Sequence, residues 1–111
     1  MRAIKIDVEK QEVYYIEIEK GLQPMYDAIG NGCDLIEAPL RFPKNDALFC
    51  DEEINFRQGD VKGGFLIKKM GYPITNNAII VGADSYGESC DVKMTIQEAE
   101  RLIVAWYVPR A

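Results

Sequence analysis

One segment rich in lysine and glycine has residue types that could bind an anion. It reads Lys62-Gly63-Gly64, and Lys68 and Lys69 follow closely. Glycines allow backbone amides to approach an anion, and lysine ammonium groups neutralise its charge. The segment matches neither the phosphate-binding loop nor the dinucleotide-binding fingerprint. We expect Lys62, Gly63, Gly64 and Lys68 to help bind a phosphate; the alternative is a flexible loop that leads into a strand.

A second set of polar side chains falls in predicted loops. Amide, phenol and guanidinium groups there could converge on a base or a ribose, and they belong to Arg41, Asn45, Tyr72, Asn76 and Asn77. Asparagine is also common in turns for conformational reasons. Ligand binding and turn formation therefore both remain open for this set.

Acidic residues form a third group, in which Asp51, Glu52 and Glu53 are consecutive and Asp84 lies near Glu88. A carboxylate pair could perform acid–base or metal chemistry. The alternative is a solvated acidic surface, which is common where strands meet loops. We expect the run from Asp51 to Glu53 to lie at the solvated end of a strand and to contact a protein partner.

The chain contains no histidine. This excludes Ser-His-Asp triads and Cys-His pairs, and it removes the commonest transition-metal ligand. Cys33, Cys50 and Cys90 form no CxxC pair, and three cysteines alone fall short of a closed zinc site. Acidic neighbours also disfavour a Cys50 thiolate. We therefore expect no catalytic residues, no metal and no cofactor.

Length and charge narrow the functional classes further. A chain of 111 residues fits one domain, and a net charge of -5 with a pI near 4.7 disfavours extended nucleic-acid binding. No apolar run has the length of a signal peptide core or a membrane span, and unpaired cysteines suit a reducing compartment. We expect a cytoplasmic protein without membrane contact.

Hydrophobic periodicity predicts several strands and a first helix. Alternation over residues 2–8 and 12–18, joined by a short polar segment, predicts an opening β-hairpin. Apolar spacing predicts a short helix near 22–30 that stops at Gly30. A strand-like run covers 33–39, a loop follows at 41–45, and the remaining strands are expected at 47–50, 65–67 and 78–82. A flexible connection is expected at 59–64, and turns at 71–77 and 84–87.

A second helix has a clear start signal. Thr95 and Glu98 have the spacing of a capping box, in which each side chain bonds the other residue's backbone amide. One apolar stripe follows, formed by Ile96, Ala99, Leu102, Ile103 and Trp106. We expect a helix near 95–107 packed on the sheet. The predicted fold is one α+β domain over residues 1–111 with a mainly antiparallel sheet.

Several phrases resemble a family of small proteins of unknown function. They are the opening hairpin, the helix ending at Gly30, the strand-like 34–37, the Ala47–Glu52 phrase, and residues 77–84 before the Gly87 turn. Members of that family are frequently encoded by phages, prophages and plasmid-like elements. The resemblance therefore implies a genomic setting in which small proteins often disarm host defence.

Three functional hypotheses follow. The first is a non-catalytic binder that sequesters a small anionic, nucleotide-derived immune signal, with a pocket that a homo-oligomer could complete. The second is an acidic protein-interaction module that inhibits a host defence protein directly. The third is a carboxylate- or metal-dependent enzyme acting on a nucleotide, using Asp51 or Asp84.

Overall fold

The computed structural model describes residues 1–53 and 61–108. The described elements are the strands β1 (Arg2–Asp7), β2 (Glu12–Glu17), β3 (Ile36–Arg41), β4 (Asp46–Asp51), β5 (Gly64–Ile67), β6 (Ile74–Thr75), β7 (Ala78–Ala83), β8 (Ser89–Cys90) and β9 (Ile103–Tyr107), the helices α1 (Leu22–Ile29) and α2 (Ile96–Leu102), and a 3-10 turn at Pro43–Asn45.

The larger sheet has the strand order β2-β1-β7-β4-β3, and β8 pairs with β7 beyond this path. Every pairing in it is antiparallel. The predicted opening hairpin is confirmed: β1 and β2 pair from Arg2 with Glu17 to Asp7 with Glu12. Asp7 closes its turn, because its carboxylate accepts from the amides of Glu9 and Lys10 and from the Tyr14 hydroxyl.

Both faces of this sheet are covered by apolar residues. Ile4, Ile6 and Ile80 point into one cluster, while Ala3 and Ile79 point into another. This follows from the alternation of side chains along a strand. The first cluster also receives residues of β5 and α2, and the second receives α1. The molecule is therefore a single α+β domain whose larger sheet lies between two apolar layers.

The smaller sheet has the order β6-β5-β9 and corrects one expectation. The helix predicted near 95–107 ends at Leu102, and residues 103–107 form β9. Ile103 has extended dihedral angles, and β9 pairs with β5 from Tyr107 opposite Gly64 to Ile103 opposite Ile67. Branched and aromatic residues favour strands when a partner strand is present. The apolar spacing alone favoured a helix, and the pairing with β5, which has a register irregularity between Leu66 and Ile67, makes this segment a strand.

The helix signals themselves are confirmed. Pro24 lies in the first turn of α1, and Gly30 follows its end with a positive φ of 74°. The Thr95 hydroxyl accepts from the Glu98 amide, and the Glu98 carboxylate accepts from the Thr95 amide. The strand expected at 33–39 lies instead at Ile36–Arg41, because Asn31 and Gly32 have positive φ values and extend the turn after α1.

Asp46 ties the first residue of β4 to the segment that leads into α2. Its side chain is 2% exposed, and its two carboxylate oxygens accept from the amides of Lys93 at 3.0 Å and Met94 at 2.8 Å. Its carbonyl also accepts from the Phe42 amide at 2.8 Å. A buried acceptor of this kind fixes two chain segments that are distant in sequence.

Removal of the Asp46 carboxylate should destabilise the fold. Asp46→Ala leaves two amides without their acceptor, so we expect the free energy of unfolding to fall by about 2–4 kcal/mol. Asp84→Ala is the matched control, since its half-buried carboxylate also accepts two amides, those of Tyr86 and Glu88. We expect the control to cost about 1 kcal/mol. If urea unfolding shows the same loss of free energy of unfolding in both variants, the buried Asp46 carboxylate contributes no more to stability than the half-buried one of Asp84, and the prediction is wrong.

Candidate functional site

The predicted glycine-rich anion loop has a close-packed backbone. A Cβ atom at Gly63 would lie 2.9 Å from the Tyr107 carbonyl oxygen, and one at Gly64 would lie 2.8 Å from the Ile74 carbonyl oxygen. Gly64 is also the first residue of β5, and both glycines are buried. These glycines therefore allow neighbouring strands to approach, and the expected flexible connection is wrong at Gly63 and Gly64. Residues 59 and 60 lie outside the described ranges.

The two lysines of that prediction lie on the surface. Lys62 is exposed, and its amide donates to the Asn76 side chain. Lys68 is exposed in the turn after β5, and its amide donates to the Leu102 carbonyl. Among the described residues that line the cavity beside Gly63 and Gly64, neither lysine is present.

The second predicted set is divided among separate places. Arg41 and Asn45 line one cavity of about 360 Å³, whereas Tyr72 lines another of about 80 Å³ beside Glu37 and Cys50. Asn77 is 6% exposed. Its side-chain Oδ1 accepts from the Val8 amide at 2.9 Å, and its side-chain Nδ2 donates to the Ile29 carbonyl at 3.1 Å. The structure thus joins Arg41 with Asn45, and Asn77 connects β1, β7 and α1.

The acidic run is only partly on the surface. Asp51 is 3% exposed and accepts from the Glu53 amide at 2.9 Å, which corrects the expectation of a solvated Asp51. Its pairing with Ile36 places it inside the β3–β4 ladder. Glu52 is exposed and Glu53 is half-buried. An acidic surface at this place consists mainly of Glu52.

A basic groove of about 290 Å³ lies between the 3-10 turn, the turn after β5 and α2. We use the term basic groove for the space lined by four cationic side chains, two acidic ones and four apolar ones: Lys44, Lys69, Lys93, Arg101, Asp46, Glu98, Phe42, Pro43, Met94 and Leu102. The lining carries a formal charge of +2 in a chain with a net charge of -5. Such focusing of one charge sign in a cleft attracts oppositely charged ligands.

Two of these cations, Lys44 and Arg101, act on the same carboxylate, that of Glu98. The pKa of Glu98 is lowered, first by the hydrogen bonds with Thr95 and further by the charges of Lys44 and Arg101. Lys44 lies in the turn at Pro43–Asn45 with a positive φ of 67°, and Arg101 lies in the last turn of α2. Two segments far apart in sequence therefore supply cations to one place.

The position of Lys93 depends on the buried carboxylate described above. Its amide donates to Asp46, which also lines the basic groove, and its ammonium donates to the Ala83 carbonyl at 3.2 Å. The cavity that holds Arg41 and Asn45 also contains Asp46 and Phe42. The two spaces therefore adjoin at Phe42 and Asp46.

Sequence reasoning identified Lys69 only as a neighbour of the glycine segment and did not identify Lys44, Lys93 or Arg101 as site residues. These four lysine and arginine residues are spread over more than half of the chain and share no motif. One local signal was available, since the capping box fixed where α2 begins and thus which face of it Arg101 occupies. The convergence with Lys44 depends on the pairing of strands.

Cys50 is held as a neutral thiol. Burial raises its pKa to about 12, and the charge of Glu37, whose carboxylate accepts from the thiol, acts in the same direction. Within residues 1–53 and 61–108, no group of three Cys, Asp or Glu side chains could hold a metal ion. No helix in the same ranges is long and apolar enough to cross a membrane.

The family model for a domain of unknown function (DUF3846) matches residues 1–103. The chain belongs to this family. No curated protein and no solved structure shows significant similarity to it. The match covers β1 through α2 and therefore includes every residue of the basic groove.

The thiols should differ in reactivity. Because the pKa of Cys50 is raised in the folded protein, this thiol contributes stability below the ordinary thiol pKa of 9.0. That contribution is lost as the pH rises toward 12. At pH 8 we expect iodoacetamide to modify the half-buried Cys90 first and Cys50 last, because the thiolate is the nucleophile. Mass spectrometry of quenched samples measures the order. Alkylation of Cys50 in the folded protein as fast as Cys90 would contradict this environment.

Proposed function

We propose that the chain is a non-catalytic binding protein for a small anionic, nucleotide-like ligand held in the basic groove. The observation that carries the proposal is the convergence of Lys44, Lys69, Lys93 and Arg101 on one cleft of an acidic chain. Their donors are those that bind phosphate oxygens, and Arg101 adds a bidentate geometry. The Glu98 carboxylate neutralises part of the positive charge of the groove, so a phosphate would compete with this carboxylate for the cations.

The apolar part of the groove supports a ligand with a ring. Phe42, Met94 and Leu102 line it together with the cations, and Phe42 also faces the adjoining cavity that holds Arg41. A volume of about 290 Å³ is at the lower end for ligand pockets. A mononucleotide, with its phosphate on the lysines and its base toward Phe42, fits both the size and the chemistry.

Binding alone would be sufficient for a biological effect. A protein that sequesters a signal needs affinity and no catalytic group, and the chain has no histidine. Because the resemblance to phage and plasmid proteins implies conflict with a host, we propose a nucleotide-derived immune signal in the bacterial cytoplasm as the natural ligand. A second copy of the chain could enclose the open side of the groove.

Calorimetric titration tests the groove against the sequence-predicted loop. Pyrophosphate, AMP, ATP and cyclic nucleotides serve as probes. Lys69→Ala with Arg101→Ala should weaken binding of the best probe at least about hundredfold, because the variant removes two charge-assisted contacts of about 1.5–3 kcal/mol each. Lys62→Ala with Lys68→Ala removes the same charge from the predicted loop and should leave the affinity within about twofold.

The controls give opposite results for the competing proposals. A larger loss in the Lys62/Lys68 variant would assign the ligand to the glycine segment, and the absence of binding by every probe would contradict the proposed function. Heat release of the bound probe followed by mass spectrometry tests catalysis, since a binder returns the probe unchanged, with and without Mg²⁺ or Mn²⁺.

A further inference from the structure

A second groove lies between the start of β2, α2 and β9, and none of the described residues that line it also lines the basic groove. Its volume is about 340 Å³, and it is lined by Gln11, Glu12, Val13, Glu100, Ile103 and Trp106. We call it the acidic groove, because Glu12 and Glu100 are its charged residues. It therefore suits a ligand of the opposite sign from that of the basic groove.

The two carboxylates of the acidic groove are available to a partner. Both Glu12 and Glu100 are exposed. Among the residues that the structure describes, neither has a lysine or arginine nitrogen within 4.0 Å; the one recorded ion pair joins the amino terminus to Glu17. A cation entering here would meet two carboxylates that form no ion pair with any residue of 1–53 or 61–108.

Trp106 gives the groove a wall that favours a particular kind of cation. Its ring packs against Phe65 with centroids 6.2 Å apart and an interplanar angle of 54°, and Val13 and Ile103 pack against the same core. Packing against Phe65 restrains the indole. Tryptophan is the best aromatic partner for a cation, and the planar guanidinium of arginine stacks on it while donating to carboxylates.

The surroundings favour an arginine that is carried by a protein. Glu12 and Val13 lie on β2, at one edge of the larger sheet, and Ile103 and Trp106 lie on β9, at one edge of the smaller sheet. Edge strands present unpaired backbone groups to an approaching chain. A partner backbone can therefore approach beside the groove while its side chain enters it.

We propose that the acidic groove receives an arginine side chain from a partner protein, with the guanidinium between Glu12 and Glu100 and against Trp106. This moves the acidic contact surface away from Asp51, Glu52 and Glu53, of which only Glu52 is exposed. The inference stands apart from the proposed function, because the two grooves have no lining residue in common.

Trp106 is the only tryptophan of the chain, so its fluorescence reports directly on the acidic groove. The probe is the capped peptide acetyl-Gly-Val-Arg-Val-Gly-amide, and the reference peptide carries citrulline in place of arginine. We expect a saturable change in emission with the arginine peptide and about tenfold weaker binding of the citrulline peptide. Glu12→Gln with Glu100→Gln should weaken arginine-peptide binding by a similar factor.

The matched control is Glu19→Gln with Glu88→Gln, two exposed carboxylates outside the groove. It changes the net charge equally and should leave peptide affinity within about twofold at 0.15 M salt, where distant charges are screened. Equal binding of the citrulline peptide, equal loss in the control, or no emission change at millimolar peptide would overturn the proposal. Acetyl-arginine-amide binding as tightly as the peptide would overturn the protein-borne part.

Discussion

The buried carboxylate of Asp46 is the interaction on which both the core and the candidate site depend. It holds the amides of Lys93 and Met94 beside Asp46, which directly follows the 3-10 turn. The segment that leads into α2 therefore lies close in space to that turn. That placement brings Arg101 beside Lys44 and closes the first apolar cluster with Ala99. This buried acceptor therefore helps to bring cations that are distant in sequence to the same groove.

Local signals predicted the parts of the fold that local interactions determine. The hairpin, the end of α1 at Gly30 and the Thr95–Glu98 capping box each depend on residues a few positions apart. The helix predicted over residues 103–107 was wrong. Their apolar spacing favours a helix, and only the pairing of these residues with β5 shows that they form a strand. The burial of Asp51 was missed for the same reason, because it depends on the pairing of β4 with β3, which local sequence does not show.

The candidate site was harder to predict than the fold. Residue types that are near one another in sequence suggested an anion site at Lys62-Gly63-Gly64, yet the two glycines allow neighbouring strands to pack closely. Asn77, also predicted to bind ligand, instead hydrogen-bonds backbone groups of Val8, after β1, and of Ile29 in α1. The grooves assemble from segments that meet only after folding. The lining of the basic groove has a formal charge of +2, whereas the charged residues that line the acidic groove are two glutamates. The net charge of the chain therefore did not indicate the local charge of its surface, since four cationic side chains of this acidic chain line one groove.

A titration with pyrophosphate, followed through backbone amide NMR shifts, tests whether the basic groove is the ligand site. If it is, we expect saturable shifts for the amides of residues 42, 44–46, 93–94 and 98–102, with little change at 62–64 and 74–77. Shifts centred on 62–64, or none at any amide up to millimolar pyrophosphate, would contradict it.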